Sequence, residues 1–268
     1  MKPISDYHNH TILCGHAIGE PFEYVDHALK IGLKEIGFSD HAPLVCHDDP
    51  TVTMSFEQLP RYHQMIEEVQ EKYRDQDINI RLGIEADFVV GFEEKTKLIL
   101  DSHAYDYVIG SVHFIGDFAF DDPNQKDRLK TNDIDKVYLD YHKLLRQSAE
   151  SRLFDIMAHV DLVKKFGDRP NSDLSDDIQK TAKVFKDAGV VIEINSSGLR
   201  KPVKEIYPSL STLKIYCDAG VPITFGSDAH APNEVGLGFK EAVDLALEAG
   251  YQEYVLFEKR QISKKVSL

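Results

Sequence analysis

The feature that most restricts this chain is an alternation: seven short apolar runs of strand type, each followed by an amphipathic segment of helical period. The runs are Ile4–His10, Glu35–His41, Ile80–Asp87, Tyr107–Phe114, Phe154–His159, Val190–Asn195 and Pro222–Asp228. Between them the spacing predicts helices over Pro21–Ile31, from a Ser55 cap to about Arg74, and over Glu93–Asp101, Asp133–Leu153, Ser175–Ala188, Leu210–Ala219 and Glu241–Ala249. Gly32, Gly189, Gly220 and Gly250 stand just past helix ends, where a left-handed residue stops the helix. Strand alternating with helix needs crossover connections and hence a parallel sheet. Seven units predict a closed or nearly closed α/β barrel, with an open doubly wound sheet as the other arrangement. No G-x-G-x-x-G or Walker-type loop follows the first run, so a nucleotide-binding version of the open sheet is disfavoured.

The C-terminal ends of these runs carry the residues that bind metals. The first ends in His8-Asn9-His10, the second in Asp40-His41, the third holds Glu85, the fourth His113, the fifth His159, and the seventh runs into Asp228-Ala229-His230. In parallel α/β barrels that rim is where active sites are built. On a strand, side chains two apart share a face, so His8 with His10, and Asp228 with His230, can each grip one ion. A single strand histidine is more often a core or surface residue, but six strand ends bearing ligands in one chain are poorly explained by chance. The other histidines serve as a control: His27, His63 and His142 fall in predicted helices, His47 in a loop and His103 at a helix end, where a plain structural role is expected. Cys14, between His10 and His16, either touches a metal or, the reading preferred among nitrogen and oxygen donors, is a small buried residue. Imidazole and carboxylate without thiolate suit zinc, manganese or iron, and a bridging carboxylate such as Glu85 suits two ions ~3.5–4 Å apart acting on a phosphoryl group.

Composition narrows the partners. With 268 residues and 42% hydrophobic content the chain can bury one barrel core, and no linker or low-complexity tract divides it, so a single domain over 1–268 is expected. A net charge of −14 argues against duplex nucleic acid, although bound divalent ions would make an anionic substrate welcome at one spot. Three cysteines without C-x-x-C spacing suggest neither a disulfide framework nor a thiolate zinc site and fit a reducing cytoplasm. The N-terminus shows no apolar leader core and no stretch approaches the ~18 apolar residues of a spanning helix, so no membrane association is expected.

In order, the segments Asp6-Tyr7-His8-Asn9-His10-Thr11, Cys14-Gly15-His16-Ala17, Gly37-Phe38-Ser39-Asp40-His41, Gly83-Ile84-Glu85, Gly110-Ser111-Val112-His113, Ala158-His159-Val160-Asp161-Leu162, Glu193-Ile194-Asn195-Ser196-Ser197-Gly198-Leu199-Arg200-Lys201 and Gly226-Ser227-Asp228-Ala229-His230 span nearly the whole chain. In this set the sequence resembles the polymerase-and-histidinol-phosphatase (PHP) superfamily and, within it, the monofunctional histidinol-phosphate phosphatases. The resemblance implies a distorted seven-stranded (β/α) barrel with a trinuclear centre of divalent ions at the C-terminal rim. It assigns His8, His10, Glu85 and Asp228 to a first ion, Glu85, His113 and His159 to a second, and His16, His41 and His230 to a third. It also implies a metal-bridging hydroxide as nucleophile, L-histidinol phosphate as the small-molecule substrate, and a monomer or small homo-oligomer.

Other roles rest on position. Asp228 is a candidate proton relay, and Asp40 a candidate acid for the leaving group only by adjacency. Arg200, after the sixth run, is either a bidentate phosphate clamp or a solvated loop charge, with Lys164 and Lys165 as weaker candidates for the clamp. Ser196 and Ser197 either line the pocket or only shape the turn. Asp48, Asp49, Asp117, Asp121 and Asp122 lie in loops after the second and fourth runs, where they suit a cationic leaving group or are solvated charges. Two other enzyme or module readings compete: a phosphatase of the same type acting on phosphotyrosyl protein or another phosphomonoester, and a noncatalytic or proofreading-type metal module of a polymerase. The latter lacks both a polymerase domain and a basic groove. An amidohydrolase barrel would place a lysine at the end of a middle strand, and none stands there.

Overall fold

In the computed structural model, which describes residues 4–268, seven parallel strands lie side by side in chain order: Ser5–Asp6, Glu35–Phe38, Asn79–Asp87, Tyr107–Ser111, Ile156–Met157, Val191–Asn195 and Ile223–Gly226. The reading of Met1–Pro3 as lacking a leader core lies outside the described residues. The last strand returns to the first. Tyr7 N donates to Phe225 O at 3.0 Å, Ala229 N to His8 O at 3.0 Å and His10 N to Ala229 O at 2.9 Å. The sheet is thus a nearly closed, distorted seven-stranded barrel rather than an open doubly wound sheet. Its regular pairing is short, only two residues in the first and fifth strands, and the predicted runs extend past it on the C-terminal side. His8, His10, His41, His113, His159 and Asp228 therefore stand on irregular backbone just beyond the ladder. His159 and Asp228 have φ of 28° and 54°, a left-handed region that side chains adopt only where surrounding structure enforces it.

The helices pack around the barrel: α1 Pro21–Ile31, α2 Leu59–Tyr73, α3 Glu93–Leu100, α4 Asp127–Thr131, α5 Ile134–Glu150, α6 Ser175–Ala188, α7 Leu210–Asp218 and α8 Phe239–Ala249. Pro21 opens α1 behind a capping box in which Glu20 and Glu23 satisfy each other's backbone N–H groups, and Gly32 at φ 83° ends it. A short 3₁₀ turn over Phe56–Gln58 precedes α2, so the Ser55 cap belongs to that turn. Apolar stripes bury α5 through Val137, Tyr141 and Leu145 and α6 through Ala182 and Phe185.

Two elements absent from the sequence reading fill gaps in this frame. A small hairpin, Phe114–Ile115 with Phe118–Ala119, follows the fourth strand together with α4, and Phe114 and Ala119 of the hairpin wall the cavity described below. A C-terminal antiparallel pair, Glu253–Glu258 with Gln261–Ser267, covers the N-terminal end of the barrel. There Val255 and Phe257 pack on Tyr7, Tyr107, Ile109 and Ile156, and Phe257 N donates to Tyr7 Oη at 2.9 Å. Arg260 ties that pair to Asp155 at 2.9 Å and to Leu153 O at 2.6 Å. Inside the barrel, the Tyr107 ring lies so close over Gly83 that a Cβ there would sit 2.3 Å from its Cζ, and its hydroxyl donates to Tyr7 O at 2.6 Å. The lower barrel is a packed aromatic plug.

Candidate metal and phosphate site

At the opposite end, nine side chains from the loops after six strands converge. His8 Nε2 lies 3.2 Å from Glu85 Oε2, His41 Nδ1 2.9 Å from the same oxygen, and His159 Nε2 3.3 Å from Glu85 Oε1. His10 Nε2 lies 3.3 Å from Asp228 Oδ1, and the His10 and His230 rings are 4.0 Å apart. Three sets have donor atoms within 4.8 Å of one another: His8 with His10 and Glu85, Glu85 with His113 and His159, and His16 with His41 and His230. They coincide with the sets implied by the resemblance, Asp228 adding to the first through His10. A fourth set joins Cys14 to His10 and His230. Burial pushes the Cys14 thiol well up, however, so it remains a neutral thiol.

Whether cations fit here can be judged from the donor atoms themselves. His8 Nε2, His10 Nε2, His230 Nε2 and Glu85 Oε2 are buried without a hydrogen-bond partner among the described residues. A buried polar atom left unpaired costs ~1–3 kcal/mol, so the three in the first set, and His230 in the third, suit cations at those sets. Protonation follows the same logic. Burial works against ionising Glu85 and Asp228, yet His41 and His8 for the one, and His8 and His10 for the other, hold both well below the usual carboxylate range. Burial likewise opposes a charge on His113, but Asp87 beside it pushes its pKa up to about 10. Divalent ions would displace such protons and take over their charge.

Three carboxylates that the sequence reading gave no ligand-orienting role hold the ligands in place. Glu193 Oε1 accepts from His8 Nδ1 at 2.6 Å, while its Oε2 accepts from Asn195 Nδ2 at 2.9 Å and from His159 N at 3.1 Å. Asp87 faces His113 Nδ1 at 2.9 Å. Asp40 faces His10 Nδ1 at 3.3 Å, accepts from His41 N at 2.9 Å, and is bonded by Thr11 Oγ1. Such partners fix the imidazole so that Nε2 points at the ion. The signal for Glu193 was there: a carboxylate inside the apolar run Val190–Asn195 must be buried and therefore partnered. Asp40 is fully buried, committed to these bonds and absent from the cavity wall, which removes it as an acid for the leaving group.

Seven of the nine candidate ligands, all but His8 and His10, line a cavity of about 660 Å³. Arg200 lines it, with Nη2 donating to Ser227 O at 2.8 Å and Asp228 O at 3.0 Å and Nε 3.3 Å from Glu234. Its Nη1 is buried with no partner among the described residues, so the solvated-loop alternative does not describe it. Ser197 also lines the cavity and donates to Asp228 Oδ2 at 3.0 Å, whereas Ser196 turns away to Leu237 O at 2.6 Å. Lys165 reaches the cavity but is held by Asp121 at 3.0 Å. Lys164 does not: it is fully buried between Asp161 and Glu205, both at 2.9 Å, as a structural charge. Of the five loop acids, Asp49, Asp121 and Asp122 line the cavity. Asp48 does not, and Asp117 is solvent-exposed beside Arg128. The control histidines stay outside the ligand cluster; His63 bonds Tyr105 Oη at 2.8 Å and stacks on His103, and only His47 reaches the cavity wall.

Comparison with known proteins agrees with this geometry. The chain matches the PHP domain over residues 6–197. A probable histidinol-phosphatase of Deinococcus radiodurans is 39% identical over 93% of this chain and 95% of the relative. The histidinol-phosphatase of Bacillus subtilis is 30% identical over 88% and 96%. The fold matches a crystal structure of histidinol phosphate phosphatase from Lactococcus lactis, complexed with zinc, L-histidinol and phosphate, with a TM-score of 0.83, 24% identity, and coverage of 97% of this chain and 99% of that one. The chain therefore belongs to the PHP domain family, in the branch that holds these histidinol-phosphatases.

Proposed function

We propose that this chain, acting as one domain over 1–268, hydrolyses L-histidinol phosphate to L-histidinol and inorganic phosphate in histidine biosynthesis, using three divalent cations drawn from zinc, manganese and iron. The observation that carries this reading is the clustering of imidazole and carboxylate donors, several without a protein partner, beside one cavity that the Arg200 guanidinium also lines. The names of the two most similar relatives described above supply the substrate. Bound divalent ions supply Lewis acidity and a water acidic enough to act as nucleophile at neutral pH. The protein's own groups do the rest. Arg200, pinned by two carbonyls and Glu234, presents Nη1 to a phosphate oxygen, a charge-assisted contact. Ser197 and Asn195, bonded to Asp228 Oδ2, orient that carboxylate as ligand and proton relay. Asp49, Asp121 and Asp122 give the wall the negative charge that suits an ammonium and an imidazole. A cytoplasmic setting fits the three free cysteines, and no described helix is long and apolar enough to cross a membrane. A monomer or small homo-oligomer without nucleic acid completes the reading.

Steady-state kinetics tests the substrate. L-Histidinol phosphate is expected to show a higher kcat/KM than phosphotyrosine, sugar phosphates or p-nitrophenyl phosphate, because the metals handle a phosphoryl group common to all and only the wall discriminates. Equal efficiency on p-nitrophenyl phosphate leaves a generic phosphatase. Elemental analysis of metal-saturated protein is expected to give three ions per chain, and a reproducible maximum of one defeats the trinuclear centre.

A further inference from the structure

We infer that the three metal positions are graded in affinity, with the two that share Glu85 held tightly and the one formed by His16, His41 and His230 exchangeable and coupled to phosphate. This rests on the trinuclear reading above. Charge is the first reason. The first set brings two carboxylates, Glu85 and Asp228, and the second shares Glu85, whereas the third offers three imidazoles and no anion of its own. An ion there also faces repulsion from two neighbouring dications that its ligands do nothing to offset.

The second reason is what stands behind each imidazole. In the first two sets the Nδ1 atoms of His8, His10 and His113 are backed by Glu193 at 2.6 Å, Asp40 at 3.3 Å and Asp87 at 2.9 Å. In the third set His16 Nδ1 faces the carbonyl of Cys14 at 2.9 Å, and His230 Nδ1 faces the carbonyl of Asp228 at 3.1 Å with the Asp228 carboxylate, already committed to the first set, at 3.5 Å. His41 faces Glu85 at 2.9 Å, but that charge already serves two positions. A carboxylate behind an imidazole strengthens it as a donor, and losing such a partner weakens metal binding ~10–100-fold. Exposure separates the sets mainly at one residue: the side chains of His8, His10 and Glu85 are at most 1% exposed, those of Asp228, His113 and His41 are 14–16% and that of His230 is 21%, whereas His16 of the third set is solvent-exposed. Arg200 adds positive charge nearby, since Glu234 bonds both its Nε, at 3.3 Å, and His230 N, at 2.9 Å. A phosphate oxygen would supply the anion this position lacks. Binding of phosphate and of the third ion therefore reinforce each other.

The test dialyses zinc-loaded enzyme against increasing chelator and counts ions per chain, with anomalous diffraction locating those that remain. The expected result is a plateau at two ions, with the loss at His16, His41 and His230. Inorganic phosphate is expected to shift that first loss to higher chelator concentration. His16→Ala should retain two ions from the outset. Glu193→Gln should loosen the buried pair ~10–100-fold relative to the wild-type chain. Loss of all three ions together, or first from His8, His10 and Glu85, overturns the grading, and indifference to phosphate overturns the coupling. A reproducible maximum of one ion in metal-saturated protein before chelator is added instead defeats the trinuclear reading beneath it.

Discussion

Arg200 reaches the cavity as a guanidinium with two of its nitrogens already spent on Ser227 O, Asp228 O and Glu234, and one left over. Replacing it with alanine is expected to lower kcat/KM by about one to two decades, ~1.5–3 kcal/mol, with metal content intact; unchanged kinetics would remove it from phosphate binding. Gly83 is the other position where one atom decides much. A methyl group at this position collides with the fully buried Tyr107 ring, so Gly83→Ala is expected to cost at least ~1–3 kcal/mol by denaturant titration. At this scale the sequence was legible where a residue type betrays its chemistry, as at His8-Asn9-His10 and Asp228-Ala229-His230. It was silent on partnerships between distant strands. Glu193 and His8 are 185 residues apart, and nothing local to either announces the pairing.

Among the elements, α1 and α6 coincide with their predicted spans because caps and stop glycines are local signals. Except for the third, Asn79–Asp87, the barrel strands proved shorter than the apolar runs. A run marks what is buried, and the ends of these runs are buried as metal-site backbone rather than as ladder. The C-terminal pair escaped notice because its outer strand, Gln261–Ser267, is almost wholly exposed and carries lysines suited to a protected sheet edge, without a hydrophobic alternation to read. Its inner strand nevertheless packs the barrel floor. Phe257→Ala is expected to destabilise the protein by ~3–5 kcal/mol while leaving metal stoichiometry at the far rim unchanged, and denaturation monitored alongside elemental analysis checks both.

For the whole molecule, acid stability follows from a histidine away from the site. His142 on α5 is buried, and burial, the main cause, lowers its pKa to about 4, with Asp177 opposing and Arg146 assisting. The unfolded chain takes up a proton near pH 6.5 that the folded chain refuses until about pH 4, so this contribution is intact above pH 6.5 and is lost as pH falls across that window. It amounts to at most about 3 kcal/mol, and His142→Phe should flatten this part of the stability profile; an unaltered profile would place the acid sensitivity elsewhere. The aromatic plug at the barrel floor has a kinetic consequence as well. With Tyr7, Tyr107 and Phe257 packed at the far end, substrate and products are expected to pass by the side of the cavity lined by Phe114, His47 and Asp122. If phosphate sits deepest, against the proposed metal ligands, it leaves after the alcohol. Product inhibition should accordingly be competitive for inorganic phosphate and noncompetitive for the alcohol, and the reverse pattern would mean that phosphate has another way out.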